Sequence, residues 1–188
     1  MSYPPPYAGP PPVAAPPRRP SRALRRWANA MLAAALVCMG LMAGIFFAFT
    51  VSVMPGLQAG DDKTFVTAMQ HINAAIENGL FGLVFAGALL FTAVAAVLQF
   101  ASGRRAAAAW AFGAAALYFV VLGLTMGIEV PLNDKLAAAG NPDRIADLAR
   151  VRHDFESVWV PVNDARTLIN TLALLCLAPA LWRPAKAD

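Results

Sequence analysis

Asn163, Arg166 and Asn170 are spaced i, i+3, i+7 at the head of the last apolar stretch of this chain. In a helix that spacing puts two amides and a guanidinium on one face. A guanidinium bordering an apolar stretch needs a partner, and a carboxylate with hydrogen-bonded amides supplies one. Glu129 ends the preceding apolar stretch and is the best partner, with Thr125 one turn deeper on the same face; Asn133, Asp134 and Asp164 are alternatives. Gln70, Asn73, Glu77 and Asn78 enter from a third part of the chain. Such a constellation either binds a ligand or substrate or ties helices together. Ionisable groups inside a membrane favour the first.

The elements that must position these residues follow from composition. Of the 188 residues, 59% are apolar and 14% charged, against about 45–50% and about 25% in soluble domains. No charge occurs in 28–60, 78–103, 106–128 or 167–182. A membrane span needs about 20 apolar residues, so the first three windows suffice. The fourth has 16 residues, about 24 Å of helix against a hydrocarbon core of about 30 Å. That helix must therefore take in the turn before it, which carries Asn163, Arg166 and Asn170.

The expected architecture is all-α. It is a four-transmembrane-helix bundle over 29–183, with spans at about 29–53, 78–100, 107–129 and 163–182. Two short amphipathic connector helices lie on the extracytoplasmic side. The first covers 62–77, with Phe65, Met69, Ile72 and Ile76 as its apolar stripe. The second starts at Asn141-Pro142 and carries Ile145, Leu148, Phe155 and Trp159, with Arg152 interrupting. Pro55 and Pro131 are expected to end spans 1 and 3. Gly40, Gly44 and Ala48, and again Gly123 and Gly127, permit close helix approach and are compatible with a homo-oligomer. Residues 1–28 form a disordered Pro/Arg-rich tail, and 184–188 a second tail.

Charge sets the orientation. The face bearing the termini and the span 2–3 loop holds 9 basic residues and one acid, Asp188; the other holds 6 basic and 10 acidic residues. The positive-inside rule puts both termini in the cytoplasm of a cell with this protein in its plasma (inner) membrane. Topology and lipid headgroups account for the net charge of +4, so nucleic acid is not an expected partner. Cys38 and Cys176 lie inside spans and predict no disulfide. His71, His153, Glu77 and Glu156 have no metal-ligand spacing, so no metal is expected.

"GIFFAFTVSVMPGL", "MQHIN", "VPLND" and "WVPVNDARTL" occur in an order that resembles the anthrone-oxygenase-like family of small four-helix membrane proteins, many of them a domain of unknown function. The resemblance covers about residues 30–182. It implies a membrane bundle and, from some fungal members, oxidation of anthrones to anthraquinones without metal or flavin. The polar positions it carries over are Asn73, Asn133, Trp159, Asn163 and Arg166. Many relatives have His where this chain has Asp164, so the resemblance supplies no His base. Such chemistry needs a base, donors for an oxyanion and an aromatic-tolerant pocket. Glu129 or Asp164 would be the base, and Arg166, Asn163 and Asn73 the donors. Phe46, Phe47, Phe49 and Trp159 would flank a flat ring, and Gln70, Asn133 and Asn170 would add contacts. The expected function is a cofactor-independent oxygenase acting on a small aromatic or polyketide substrate. The alternatives are a non-enzymatic small-molecule binding or transport protein and an assembly partner for a membrane complex.

Overall fold

The computed structural model describes residues 20–182. The Pro-rich segment before residue 20, and Arg183, Lys186 and Asp188, lie outside the described residues.

Four long helical segments are apolar enough to cross a membrane, which makes the chain an integral membrane protein. The first runs through α1 (Arg22–Ala48), a π turn (Phe49–Val53) and α2 (Met54–Gln58). The amphipathic α3 (Asp62–Ile76) follows, then the second span, α4 (Gly79–Ala101). The third runs through α5 (Arg105–Leu124), a π turn (Thr125–Glu129) and α6 (Val130–Ala138). The fourth is α7 (Leu148–Trp182), 35 residues without a break. The four spans alternate in direction, so Arg22 and Trp182 lie at one end and α3 at the other.

The spans form a ring in which α1 packs on α4, α4 on α5, α5 on α7 and α7 on α1. Alanines at the contacts (Ala35, Ala88, Ala95, Ala111, Ala114 and Ala173, all fully buried) let the backbones approach. Tyr118 fills the middle and donates its hydroxyl to the Phe85 carbonyl at 3.0 Å. Gly103, with φ of +80°, makes the tight α4–α5 turn in a conformation side-chain-bearing residues avoid. A Cβ at Gly40, Gly44, Gly123 or Gly127 would meet nothing within 4 Å; these small-residue faces point outward rather than into the bundle.

Neither Pro55 nor Pro131 ends its helix. Proline cannot donate its backbone N–H and its ring crowds the carbonyl four residues back. In both places the chain widens into a π turn ending two residues before the proline, and the helix resumes across it. The bonds from Met54 N–H to the Phe49 carbonyl and from Val130 N–H to the Thr125 carbonyl close these turns. An α-helix overshoots a full turn by about 40° every four residues, and a wide turn takes that drift back. Met42, Phe46, Thr50 and Met54 therefore stay on one face, as do Val121, Thr125, Glu129 and Asn133.

The segment expected as a second connector is part of α7. Only a 3-10 turn (Pro142–Arg144) and a short link precede it. Its apolar side continues the face that α7 turns to the bundle lower down, so no break is needed; exposed Pro161 is tolerated within it. Helix α1 likewise starts at Arg22, earlier than the expected span.

Helix α3 roofs the bundle. Phe65, Val66 and Met69 are buried against Met54, Leu136, Phe155 and Trp159. Arg152, expected only to interrupt an apolar side, holds the α2–α3 corner. It donates to Glu156 at 2.7 Å, to Asp62 and the Gly60 carbonyl at 3.1 Å, and to the Gln58 carbonyl at 3.1 Å. Its guanidinium carbon sits 4.7 Å over the Phe65 ring. Lys63 pairs with Asp143. At the start of α3, Asp61 accepts the Thr64 backbone N–H at 2.7 Å. That bond holds its carboxyl below the usual value of 3.8. A depressed carboxyl stabilises the fold above its unfolded value and loses that contribution as pH falls through the folded one. Hydrogen exchange at the Thr64 amide should therefore accelerate only below about pH 3.8, and Asp61→Asn, which still caps, should remove the pH step.

Candidate functional site

Beneath α3, four elements bring polar groups together. The second π turn presents Thr125 and Glu129 inward, and α7 presents Asn163 and Arg166 one turn apart. Arg166 Nη2 lies 2.9 Å from Glu129 Oε2. The same nitrogen donates to Asn163 Oδ1 at 3.0 Å, and Nη1 donates to Thr125 Oγ1 at 3.2 Å. Glu129 is 2% exposed and Arg166 5%, so the pair is out of water. Phe46 stacks beneath the guanidinium at 4.5 Å from its ring centre, and Trp159 lies at 5.7 Å.

Asn163 joins the pair to α1. Its Nδ2 donates to Thr50 Oγ1 at 3.0 Å and to the Phe46 carbonyl at 3.2 Å. Its Oδ1 is thereby fixed towards Arg166. Thr50 donates in turn to Asp164 Oδ1 at 2.9 Å. Thr50 was not among the sequence candidates. Its one signal is its place four residues after Phe46, which becomes meaningful only once the π turn restores the face.

Phe46, Thr125, Glu129, Asn163 and Arg166 line a cavity of about 90 Å³, together with Asn73, Asn133, Trp159, Glu77, Phe49 and Phe81. Trp159 Nε1 donates to Asn133 Oδ1 at 3.1 Å. Three buried polar atoms on its lining residues have no partner: Glu129 Oε1, Arg166 Nε and Asn73 Nδ2. Each such atom costs about 1–3 kcal/mol. Three such atoms around one cavity give it the donors and acceptor to hold a polar group.

Of the expected site residues, Glu129, Arg166, Asn163, Asn73, Asn133 and Trp159 come together here. Four do not. Phe47 is 56% exposed on the outer face of α1, since one residue along a helix turns a side chain by about 100°. Asp164 is exposed for the same reason and bonds Thr50 outside the cavity. Gln70 caps the end of α6, donating to the Leu136 and Gly140 carbonyls at 2.9 and 3.0 Å. Asn170 is buried deeper, where it donates to the Met39 carbonyl at 3.4 Å. His71 and His153 are both exposed. Among the described residues no three His, Cys, Asp or Glu side chains group as metal ligands.

A four-helix membrane bundle with a buried carboxylate–guanidinium pair under an amphipathic roof is the class of protein these features define. The anthrone oxygenase family matches residues 79–176, just over half of the chain, and the chain belongs to that family. The matched stretch contains Glu129, Asn133, Trp159, Asn163 and Arg166; Phe46, Thr50 and Asn73 precede it. No curated protein and no solved structure matches the chain.

Proposed function

We propose that the protein is an oxygenase-like enzyme that oxidises a small aromatic carbon acid at the Glu129–Arg166 pair. The observation that carries this is the unpartnered Glu129 Oε1 on a residue lining an aromatic-walled cavity, with donor groups beside it. Membership of the anthrone oxygenase family supports the reaction class.

In this reading Glu129 takes a proton from the ring methylene of an anthrone-type substrate. Arg166 Nε and Asn73 Nδ2 hold the enolate oxygen, and fixed donors of this kind are the largest single contribution in many enzymes. The electron-rich enolate reduces O₂ and becomes a hydroperoxide at the former methylene carbon. Loss of water then leaves the second carbonyl, so one oxygen atom enters the product and the other leaves as water. Asn163 positions Arg166, and Thr50 positions Asn163.

The test is anthraquinone formation by the purified protein in detergent with an anthrone under O₂. A rate well above that of Glu129→Gln/Arg166→Ala is expected. An equal rate would remove the enzymatic reading and leave a binding protein.

A further inference from the structure

The site just described has one wall unlike the others. Thr125, Glu129, Asn163 and Arg166 on α5–α7 are buried. The facing wall, made by Ile45 on α1, Phe49 in the first π turn, Ile72 and Ile76 on α3 and Phe81 on α4, is half-exposed and apolar. Next to it, Phe47 is 56% exposed, Leu80 71% and Leu83 65%. These three point outward from helices that cross the membrane, so they face hydrocarbon. Glu77, at the α3–α4 corner, is the one exposed lining residue.

Three further observations define what would fit. The cavity, at about 90 Å³, is well below the about 300 Å³ at which pockets begin to enclose drug-sized ligands. It admits the reacting ring edge with its oxygen and not the whole of a fused-ring body, so the rest must extend out between the helices. The unpartnered atoms are one acceptor, Glu129 Oε1, and two donors, Arg166 Nε and Asn73 Nδ2. A hydroxyl satisfies both kinds, donating to the carboxylate and accepting from the amide or guanidinium. Finally, Glu129 and Arg166 already neutralise each other at 2.9 Å, so a charged head would be left uncompensated in a buried site.

We infer that the site draws a neutral, hydroxyl-bearing aromatic amphiphile from the bilayer, head first, with the body left in hydrocarbon between α1 and the α3–α4 corner. This rests on the proposed function for the identity of the site, but not on its being catalytic. Helix α3 is suited to such entry. Its side-chain hydrogen bonds and ion pairs to α6, to the 3-10 turn and to α7 fall in its first ten residues, through Gln70, Lys63 and Asp62. Ile72, Asn73 and Ile76, over the cavity, follow that anchored part.

The experiment uses the full chain in phosphatidylcholine nanodiscs, with Trp27→Phe, Trp110→Phe and Trp182→Phe leaving Trp159 as the reporter. The probes are 2-naphthol and 6-hydroxynaphthalene-2-sulfonate, compared at equal free aqueous concentration. The second carries its charge at the far end of the body. Saturable quenching of Trp159 by 2-naphthol is expected, with the sulfonate at least about tenfold weaker because its charge would enter lipid. Asn73→Leu should weaken 2-naphthol about tenfold. Equal binding of the two probes would mean that the mouth opens to water, and would overturn the inference. So would quenching by neither probe, or an unchanged affinity in Asn73→Leu. Probe binding without anthrone turnover would instead remove the catalytic reading and leave this one standing. Turnover of a sulfonated anthrone as fast as the parent would do the reverse.

Discussion

Arg166→Met is expected to destabilise the protein by about 3–5 kcal/mol, while Glu129→Leu/Arg166→Met is expected to be close to neutral. The reason is an asymmetry. Removing the guanidinium leaves the Glu129 carboxylate, 2% exposed, with no counter-charge; Thr125 and Asn163 lose the donor that fixes them as well. Removing both charges takes away the attraction together with the desolvation it offsets. Thermal unfolding in one detergent, read by the loss of helical signal, makes the comparison. The pair would count as a tie that holds the bundle together if the double variant were as unstable as Arg166→Met. A double variant that melts like the parent but has lost ligand binding and turnover places the pair in the site.

Glu129→Gln is expected to lower anthrone turnover by about 100- to 10,000-fold, the range for losing a positioned general base. The amide keeps the shape and one acceptor oxygen towards Arg166 but cannot take a proton from carbon. Asp164→Asn, at the other carboxylate that the sequence offers, should change the rate by no more than about twofold. Asp164 is exposed, and an asparagine oxygen can still accept from Thr50. The paired measurement is kcat for both variants, alongside their melting temperatures. A large loss in Asp164→Asn with little change in Glu129→Gln would move the base to the outer face of α7 and overturn the assignment.

The spans, their alternation and the Glu129–Arg166 pair are legible in the sequence because each follows from a length. Sixteen apolar residues are too few to cross a bilayer, which forces Asn163 and Arg166 into the helix, and counting depth along the third span brings Glu129 level with them. What is not legible depends on angle rather than length. Phe46 and Phe47 are equally apolar, yet only Phe46 lies under the guanidinium. Asn163 and Asp164 are equally polar, yet only Asn163 meets Arg166. Read as stops, Pro55 and Pro131 hide the continuation of two helices, and the inward place of Thr50 depends on the π turn ahead of Pro55. Arg152 looks like a misplaced charge until the α2–α3 corner folds back around it.

A π turn is an α-helix that has accepted one residue more than its hydrogen bonds require. The two turns at Phe49–Val53 and Thr125–Glu129 are therefore spacers cut to a length, and what they set is timing along the chain. Shortening the second by one residue, as deletion of Met126 would, changes no group that touches the cavity. It would nevertheless close the turn into ordinary α-helix, with three steps instead of four from Thr125 to Glu129, about 60° short of a full turn, turning Glu129 away from Arg166 and Asn133 away from Trp159. The chemistry of this bundle is thus encoded partly as a count, and a relative that lost one residue there could keep every polar residue named here and still have no site.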